Sequence, residues 1–157
     1  METWGNMTLT FKKATRTDLP AIIKLLADDQ LGATREKYEE PLSSAYYAAF
    51  DVINADKNNE LIVAELNNKI IGTFQLTFIT YLTYQGGKRA LIEEVRIDKS
   101  VRNKGFGKIM MQWAIQHAKE NGCHLIQLTS NKKRTQALEF YKRLGFIDSH
   151  EGLKLHL

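Results

Sequence analysis

A chain of 157 residues, 43% hydrophobic and 25% charged, has the size and balance of one ordinary domain that buries about 70% of its unfolded surface. A net charge of +4 suits a polyanionic ligand but does not by itself indicate nucleic acid, so no nucleic-acid partner is expected. The single cysteine, Cys123, excludes an intramolecular disulfide framework and a cysteine metal cluster. No run of residues nears the ~18 apolar positions of a membrane span.

Residues 1–6, METWGN, carry no basic-then-apolar targeting pattern, which predicts a cytoplasmic protein with no membrane partner. Residues 8–14 (TLTFKKA) alternate loosely and predict a first strand. Residues 15–20 read as a helix start. Thr17 or Asp18 caps, and Pro20 stands in a first turn that needs no N–H from it. Ile22, Ile23, Leu25 and Leu26 supply the apolar face, and the helix is expected to end within residues 28–32. Residues 33–41 are charged and predict a loop. Tyr46, Tyr47, Phe50 and Ile53 mark a second helix over 42–55, with 56–59 as its exit.

Residues 60–66 (ELIVAEL) and 69–80 (KIIGTFQLTFIT) flank Asn67-Asn68, a dipeptide suited to the positive φ angles of a tight hairpin. A third strand is expected over 88–98, after the Gln85-Gly86-Gly87 turn. Ile109, Met110, Trp113, Ala114 and Ala118 then form a helical stripe within 108–121, stopped by Asn121-Gly122. Residues 124–129 (HLIQLT) predict a buried strand, 134–144 a helix, and 146–148 and 153–157 two short strands. The order β-α-α-β-β-β-α-β-α-β-β mixes hairpins with at least one parallel crossover, so the class is α+β in a single domain over 1–157.

Residues 91–107, LIEEVRIDKSVRNKGFG, organise the rest. A strand carrying two adjacent carboxylates, Glu93 and Glu94, leads through a basic turn to Gly105-Phe106-Gly107 and a helix. The first turn of a helix presents unpaired N–H groups and the positive end of its dipole, which together favour an anion. The plainer reading of Gly105 and Gly107 is a tight turn and helix cap. Neither familiar phosphate fingerprint is met, since G-x-x-x-x-G-K-[ST] is absent and Met110 stands where G-x-G-x-x-G needs its third glycine. In a regular strand Glu93 and Glu94 face opposite sides of the sheet, and at least one should meet a cleft or solvent. A salt-bridged strand surface involving Arg96 is the simpler alternative.

Arg102-Asn103-Lys104-Gly105-Phe106-Gly107, placed between a strand and a helix, resembles the acetyl-CoA signature R-x-x-G-x-G of the GNAT family of N-acetyltransferases. A second segment, running from Ala137 through Phe140-Tyr141 to Gly145-Phe146, is similar to the family's A-x-x-F-Y-x-x-x-G-F. The Asp18-Leu19-Pro20-Ala21 helix start is also typical, so the resemblance covers most of the chain. It implies a mixed central sheet of about six to seven strands, splayed in the middle and flanked by about four helices.

The resemblance further implies that acetyl-CoA lies where two strands splay, with the backbone along Val95, Arg96 and Ile97 pairing its pantetheine arm. Its pyrophosphate would rest on N–H groups of Asn103, Lys104, Gly105, Phe106, Gly107 and Lys108, with Arg102 and Lys104 adding charge. By the same resemblance Glu93 is the general base and Glu94 binds the acceptor, with the two roles interchangeable. Tyr141 donates to the leaving thiolate, and Asn131 hydrogen-bonds the cofactor. For Tyr141 the plain alternative is a core aromatic, and for Asn131 a helix cap. The Val95 N–H is a candidate to polarise the thioester carbonyl.

Cys123 reads as a small buried hydrophobe. His117, His124, His150 and His156 show no metal-binding spacing, and no metal is expected. The Lys132-Lys133-Arg134 cluster suits CoA phosphates or plain solvation. The sequence therefore predicts an acetyl-CoA-dependent N-acetyltransferase acting directly on a cationic small-molecule or peptide amine. A homodimer is expected from the family. The rival is a non-catalytic acetyl-CoA sensor or regulatory module of the same fold, which needs the glycine turn but not Glu93, Glu94 or Tyr141.

Overall fold

The computed structural model describes residues 2–4, 7–29 and 32–157, with backbone alone at 2–4, 7 and 8. It falls into two compact units, Met1–Gln127 and Leu128–Leu157. The first is built on a six-stranded sheet ordered as in the chain: β1 (Glu2–Trp4), β2 (Met7–Lys13), β3 (Asn59–Leu66), β4 (Lys69–Thr80), β5 (Lys88–Ile97) and β6 (Leu125–Gln127). Neighbours β1 to β5 pair antiparallel, while β6 runs parallel to β5. A parallel neighbour cannot follow through a hairpin, and helix α3 (Phe106–Glu120) makes the crossover. Helices α1 (Leu19–Ala27) and α2 (Ser44–Ala55) lie between β2 and β3 in the chain. The α+β class is as expected.

The sheet is covered on both faces, which is why ELIVAEL is continuously apolar at its centre. Leu61 and Val63 join Leu19, Ile22, Ile23 and Phe50 in one core cluster under α1 and α2. Ile62 and Ala64 point the other way. Their cross-strand partners Phe74 and Phe11 both meet Trp113 of α3, at ring separations of 5.9 and 5.1 Å. The α3 stripe is buried at Phe106, Ile109, Met110, Met111, Ala114 and Ala118. At Gly72 the helix comes so near that a Cβ would stand 2.6 Å from the Met110 sulfur.

The predicted punctuation forms with local adjustments. Asn67 and Asn68 take φ of 50° and 64° in the β3–β4 hairpin. Asp18 works with Thr15, whose N–H and Oγ1 each donate to its Oδ2 at 2.8 Å, and a short 3-10 turn (Arg16–Asp18) leads into α1. Ser43 caps α2. Four expectations need correction. An additional strand, β1, precedes the first predicted one. The helix after the glycine turn begins at Phe106 rather than Lys108. The strand after it is shorter than 124–129 and half-buried, because β5 is its one neighbour among the described residues. Residues 146–157 form no strand: Leu153 and Leu155 alternate as a strand would but have no paired neighbour among the described residues, and they stay exposed.

One buried acid ties both sides of the first unit together. Glu60 accepts from Lys13 at 2.8 Å and contacts His117 Nε2 at 2.6 Å. Burial pushes its carboxyl up, but the hydrogen bonds from Lys13 and His117 outweigh that, and it ends below the usual carboxylate range. A depressed carboxyl gives stability that is present above its unfolded value and lost as pH falls through the folded one. Urea unfolding followed from neutral pH into the acid range should therefore show a slope that is flatter in Glu60→Gln. An unchanged slope would remove Glu60 from the acid response.

Candidate functional site

The strand that carries the two carboxylates is not regular. Thr73 pairs with Arg96 and Gln75 with Glu93, so the single β4 residue Phe74 faces two residues of β5, Glu94 and Val95. This is a β-bulge, with Glu94 in the left-handed region at φ 56°. An L-residue held there costs roughly 1–2 kcal/mol. The strict alternation expected for Glu93 and Glu94 is broken, and both side chains are exposed. Glu94 keeps access to solvent while protein crowds around it. Loss of hydration first, and then the negative charges of Glu36 and Glu93, push its carboxyl above the usual range against the pull of Arg96 and Arg35.

β5 also has an open edge. Its parallel pairing with β6 covers Arg89 to Leu91 against Leu125 to Gln127 and then stops. Over 92–97 no strand among the described residues pairs with that edge, which leaves room for an extended ligand to add as a strand does. Two arginines fold back onto its carbonyls. Arg96 donates to Val95 O at 2.8 Å, and Arg102 Nε to Ile97 O at 3.0 Å. Each carbonyl retains a second lone pair.

Beyond Ile97, Asp98 accepts from the Ser100 N–H at 2.8 Å, and Lys104 Nζ donates to Ser100 O at 3.0 Å. Asn103 and Gly105 then take φ of 61° and 86°. Gly105 immediately precedes α3, and nothing lies within 4 Å of where its Cβ would stand. The N–H groups of Lys108 and Ile109 return to Gly105 O. Those of Phe106 and Gly107 precede any helical carbonyl that could take them. The turn thus offers a bare backbone concavity at a helix N-terminus, which fits a phosphate-bearing group such as CoA.

A second approach to the bulge comes from the segment after α1, a predicted loop in which the sequence offered no residue-level code. Buried Asp29 accepts from the Gly32 N–H at 3.0 Å and lies 3.6 Å from Arg96 across the ion pair. The Arg35 and Glu36 N–H groups both bond Gly32 O at 2.8 Å, and Glu36 accepts from Tyr46 OH at 3.2 Å. Glu36 and Asp29 belong to no motif. The available signal was an acid followed three residues later by glycine at a helix exit, a pattern of side-chain-to-backbone turns.

In the second unit, Asn131 Oδ1 accepts from the Lys133 N–H at 2.9 Å and shapes the turn before α4 (Thr135–Arg143). The end of α4 explains the spacing of the second motif. Gly145 at φ 93° lets its N–H reach Lys142 O and the Phe146 N–H reach Tyr141 O, at 2.9 and 3.1 Å. That pair of bonds is a Schellman cap. It returns Phe146 against the Tyr141 ring at 5.8 Å, edge to face, with Phe140 at 5.3 Å on the same ring. The tyrosine is thereby held by its neighbours in the motif.

Comparison with known proteins agrees with this geometry. The sequence profile of the Acetyltransferase (GNAT) family matches residues 21–146, across both units. An uncharacterised N-acetyltransferase of Methanocaldococcus jannaschii is 27% identical over 139 residues, 88% of this chain and 61% of its own length. Glucosamine 6-phosphate N-acetyltransferase of Trypanosoma brucei brucei is 30% identical over 89 residues, 57% of this chain and 58% of its own length. The chain spans about three-fifths of the curated relatives it matches. A solved Bacillus halodurans protein described as a transcriptional regulator is 53% identical with a TM-score of 0.92, over 96% of this chain and all of that one. With a family profile over most of its length, a strand that breaks at paired carboxylates and an open glycine turn at the head of α3, this chain belongs to the Acetyltransferase (GNAT) family.

Proposed function

We propose that the chain is an acetyl-CoA-dependent N-acetyltransferase that transfers acetyl directly to a cationic amine. The observation that carries this reading is Glu94: a carboxylate at a left-handed bulge, its carboxyl raised, on the strand that runs straight into the glycine turn. Acetyl transfer needs a neutral amine. Glu94, directly or through water, takes the ammonium proton, and a raised carboxyl is better matched to that task near neutral pH than an ordinary one. Between the two assignments left open by the sequence, this favours Glu94 as base and Glu93 as the residue that holds the acceptor. The amine nitrogen then forms its bond to the thioester carbon as the carbon–sulfur bond breaks. The Val95 N–H stabilises the charge gathering on the carbonyl oxygen. Tyr141, on the strength of its motif, gives its proton to the departing thiolate, and the proton that the acetylated nitrogen then releases restores the phenol.

CoA itself would be held by the open β5 edge along Val95, Arg96 and Ile97, by the Phe106 and Gly107 N–H groups, and by the charges of Arg102 and Lys104. Three carboxylates around the bulge, Glu36, Glu93 and Glu94, favour an acceptor with a second positive charge and oppose a phosphate. The acceptor therefore differs in charge from the phosphorylated sugar named for the trypanosomal relative. In a thiol-release assay, 1,4-diaminobutane should be turned over at least tenfold more efficiently, by kcat/KM, than glucosamine 6-phosphate, a discrimination of about 1.4 kcal/mol. Tyr141→Phe should lower turnover and leave calorimetric acetyl-CoA affinity nearly intact. Preference for the phosphorylated amine would overturn the acceptor class, and absence of acetyl-CoA binding would overturn the reading as a whole.

The second reading is a regulatory module that binds acetyl-CoA without productive chemistry, and it is favoured by the description of the 53%-identical Bacillus halodurans protein. It requires binding without turnover across a broad amine panel.

A further inference from the structure

Arg96 has a double attachment. On its own strand its guanidinium donates to Val95 O, inside the bulge. From outside the strand it meets Asp29, and both side chains are largely buried, at 15% and 9% exposure. Asp29 in turn holds the Gly32 N–H with the same oxygen, Oδ2, that faces Arg96. Gly32 is the pivot of the loop. Its carbonyl accepts from both Arg35 and Glu36, and a Cβ on it would stand 1.9 Å from Leu26 O, so the close approach to α1 requires glycine there. One carboxylate thus links the loop that presents Glu36 to the bulge that presents Glu94.

We propose that Asp29 is a positioning residue for acetyl transfer, which fixes the loop carrying Glu36 against the bulge carrying Glu94 by way of Arg96. This rests on the transferase reading above. One oxygen, Oδ2, makes both contacts: the ion pair with Arg96 sets the distance to β5, and the bond from the Gly32 N–H sets the turn. A reaction that depends on acceptor and base meeting within a hydrogen bond is sensitive to small displacements of either. Asp29 touches neither reactant in this scheme and acts only through Arg96 and Gly32.

Asp29→Asn separates the two functions, because an amide oxygen still accepts from Gly32 N–H while the negative charge opposite Arg96 is removed. The groups that face Glu94 are then Glu36, Glu93, Arg35 and an Arg96 that no longer faces the Asp29 charge. The variant should raise KM for 1,4-diaminobutane about tenfold and move the acid limb of kcat/KM to lower pH, while acetyl-CoA Kd stays within about twofold of wild type. Asp29→Glu, which restores the charge, should recover part of the KM. A merely structural role would lower the amount of folded protein without moving the acid limb. Wild-type KM and an unmoved acid limb in Asp29→Asn, beside a Glu94→Gln enzyme that has lost turnover, would overturn the positioning role and leave the transferase reading standing. A wild-type protein without turnover on any amine would overturn both.

Discussion

Glu94→Gln is expected to lower kcat about 10²- to 10⁴-fold near neutral pH, the usual scale for general acid–base catalysis, and at the same time to make the protein more stable. Both effects follow from one environment. Lost hydration and the charges of Glu36 and Glu93 raise the folded carboxyl, so the folded state holds a proton that the unfolded chain has already released. For a raised group, stability is fully present below the unfolded value and is lost as pH rises through the folded one. Glutamine never ionises, so the variant should unfold at higher urea than wild type above that window and match it below. Activity runs the opposite way. The base is the carboxylate, so wild-type kcat/KM should fall as pH drops through the raised value, and this acid limb should vanish in the variant. Glu93→Gln, for which the acceptor role is proposed, should act mainly on KM. Loss of the acid limb in Glu93→Gln instead would interchange the two roles. A Glu94→Gln enzyme that keeps wild-type kcat would remove the base assignment altogether.

The contrast between what could and could not be read in advance follows the same physics. Elements with strong local determinants were legible: Asn67-Asn68 at positive φ, Pro20 in a first turn, and the Ile109, Met110, Ala114, Ala118 stripe of α3. So was the glycine turn as a turn, because Gly105 and Gly107 break the pattern between the strand and the helix. The bulge was not. Nothing in Leu-Ile-Glu-Glu-Val distinguishes a strand that alternates from one that slips by a residue, since the slip is decided across the pair by Phe74 and by what packs beneath it. Residues 146–157 show the converse. Their Leu-Lys-Leu-His-Leu alternation is a good strand pattern, but a strand also needs a neighbour. Asp29 and Glu36 were silent because their roles depend on contacts with Arg96 and Tyr46, 67 and 10 positions away in the chain.

Phe74→Ala is expected to be the most damaging single change in the first unit, costing about 3–5 kcal/mol, the range for emptying a fully buried aromatic site. Phe74 is 0% exposed, meets Trp113 at 5.9 Å, and is the β4 residue opposite Glu94 and Val95. Domains of this size have total stabilities of about 5–15 kcal/mol, so a loss of this size takes roughly a fifth or more of it. Urea unfolding should show a lower midpoint with an unchanged slope, since the surface exposed on unfolding is nearly the same. Phe74→Leu, which keeps most of the volume, should cost about 1.5 kcal/mol or less. The position also reports on the site. A void under the bulge leaves Glu94 in a strained conformation with less packing to hold it, so kcat should fall in the fraction that remains folded. Acetyl-CoA at about 100 times its Kd adds about 2.7 kcal/mol to a protein that binds it only when folded, which would return roughly half or more of the lost stability. Failure of acetyl-CoA to shift the Phe74→Ala midpoint, with wild type shifting normally, would mean that the cofactor edge of β5 depends on the packing beneath its bulge. A stability loss below about 1 kcal/mol would mean instead that the surrounding core closes over the space, and that the bulge is held by its own backbone rather than by Phe74.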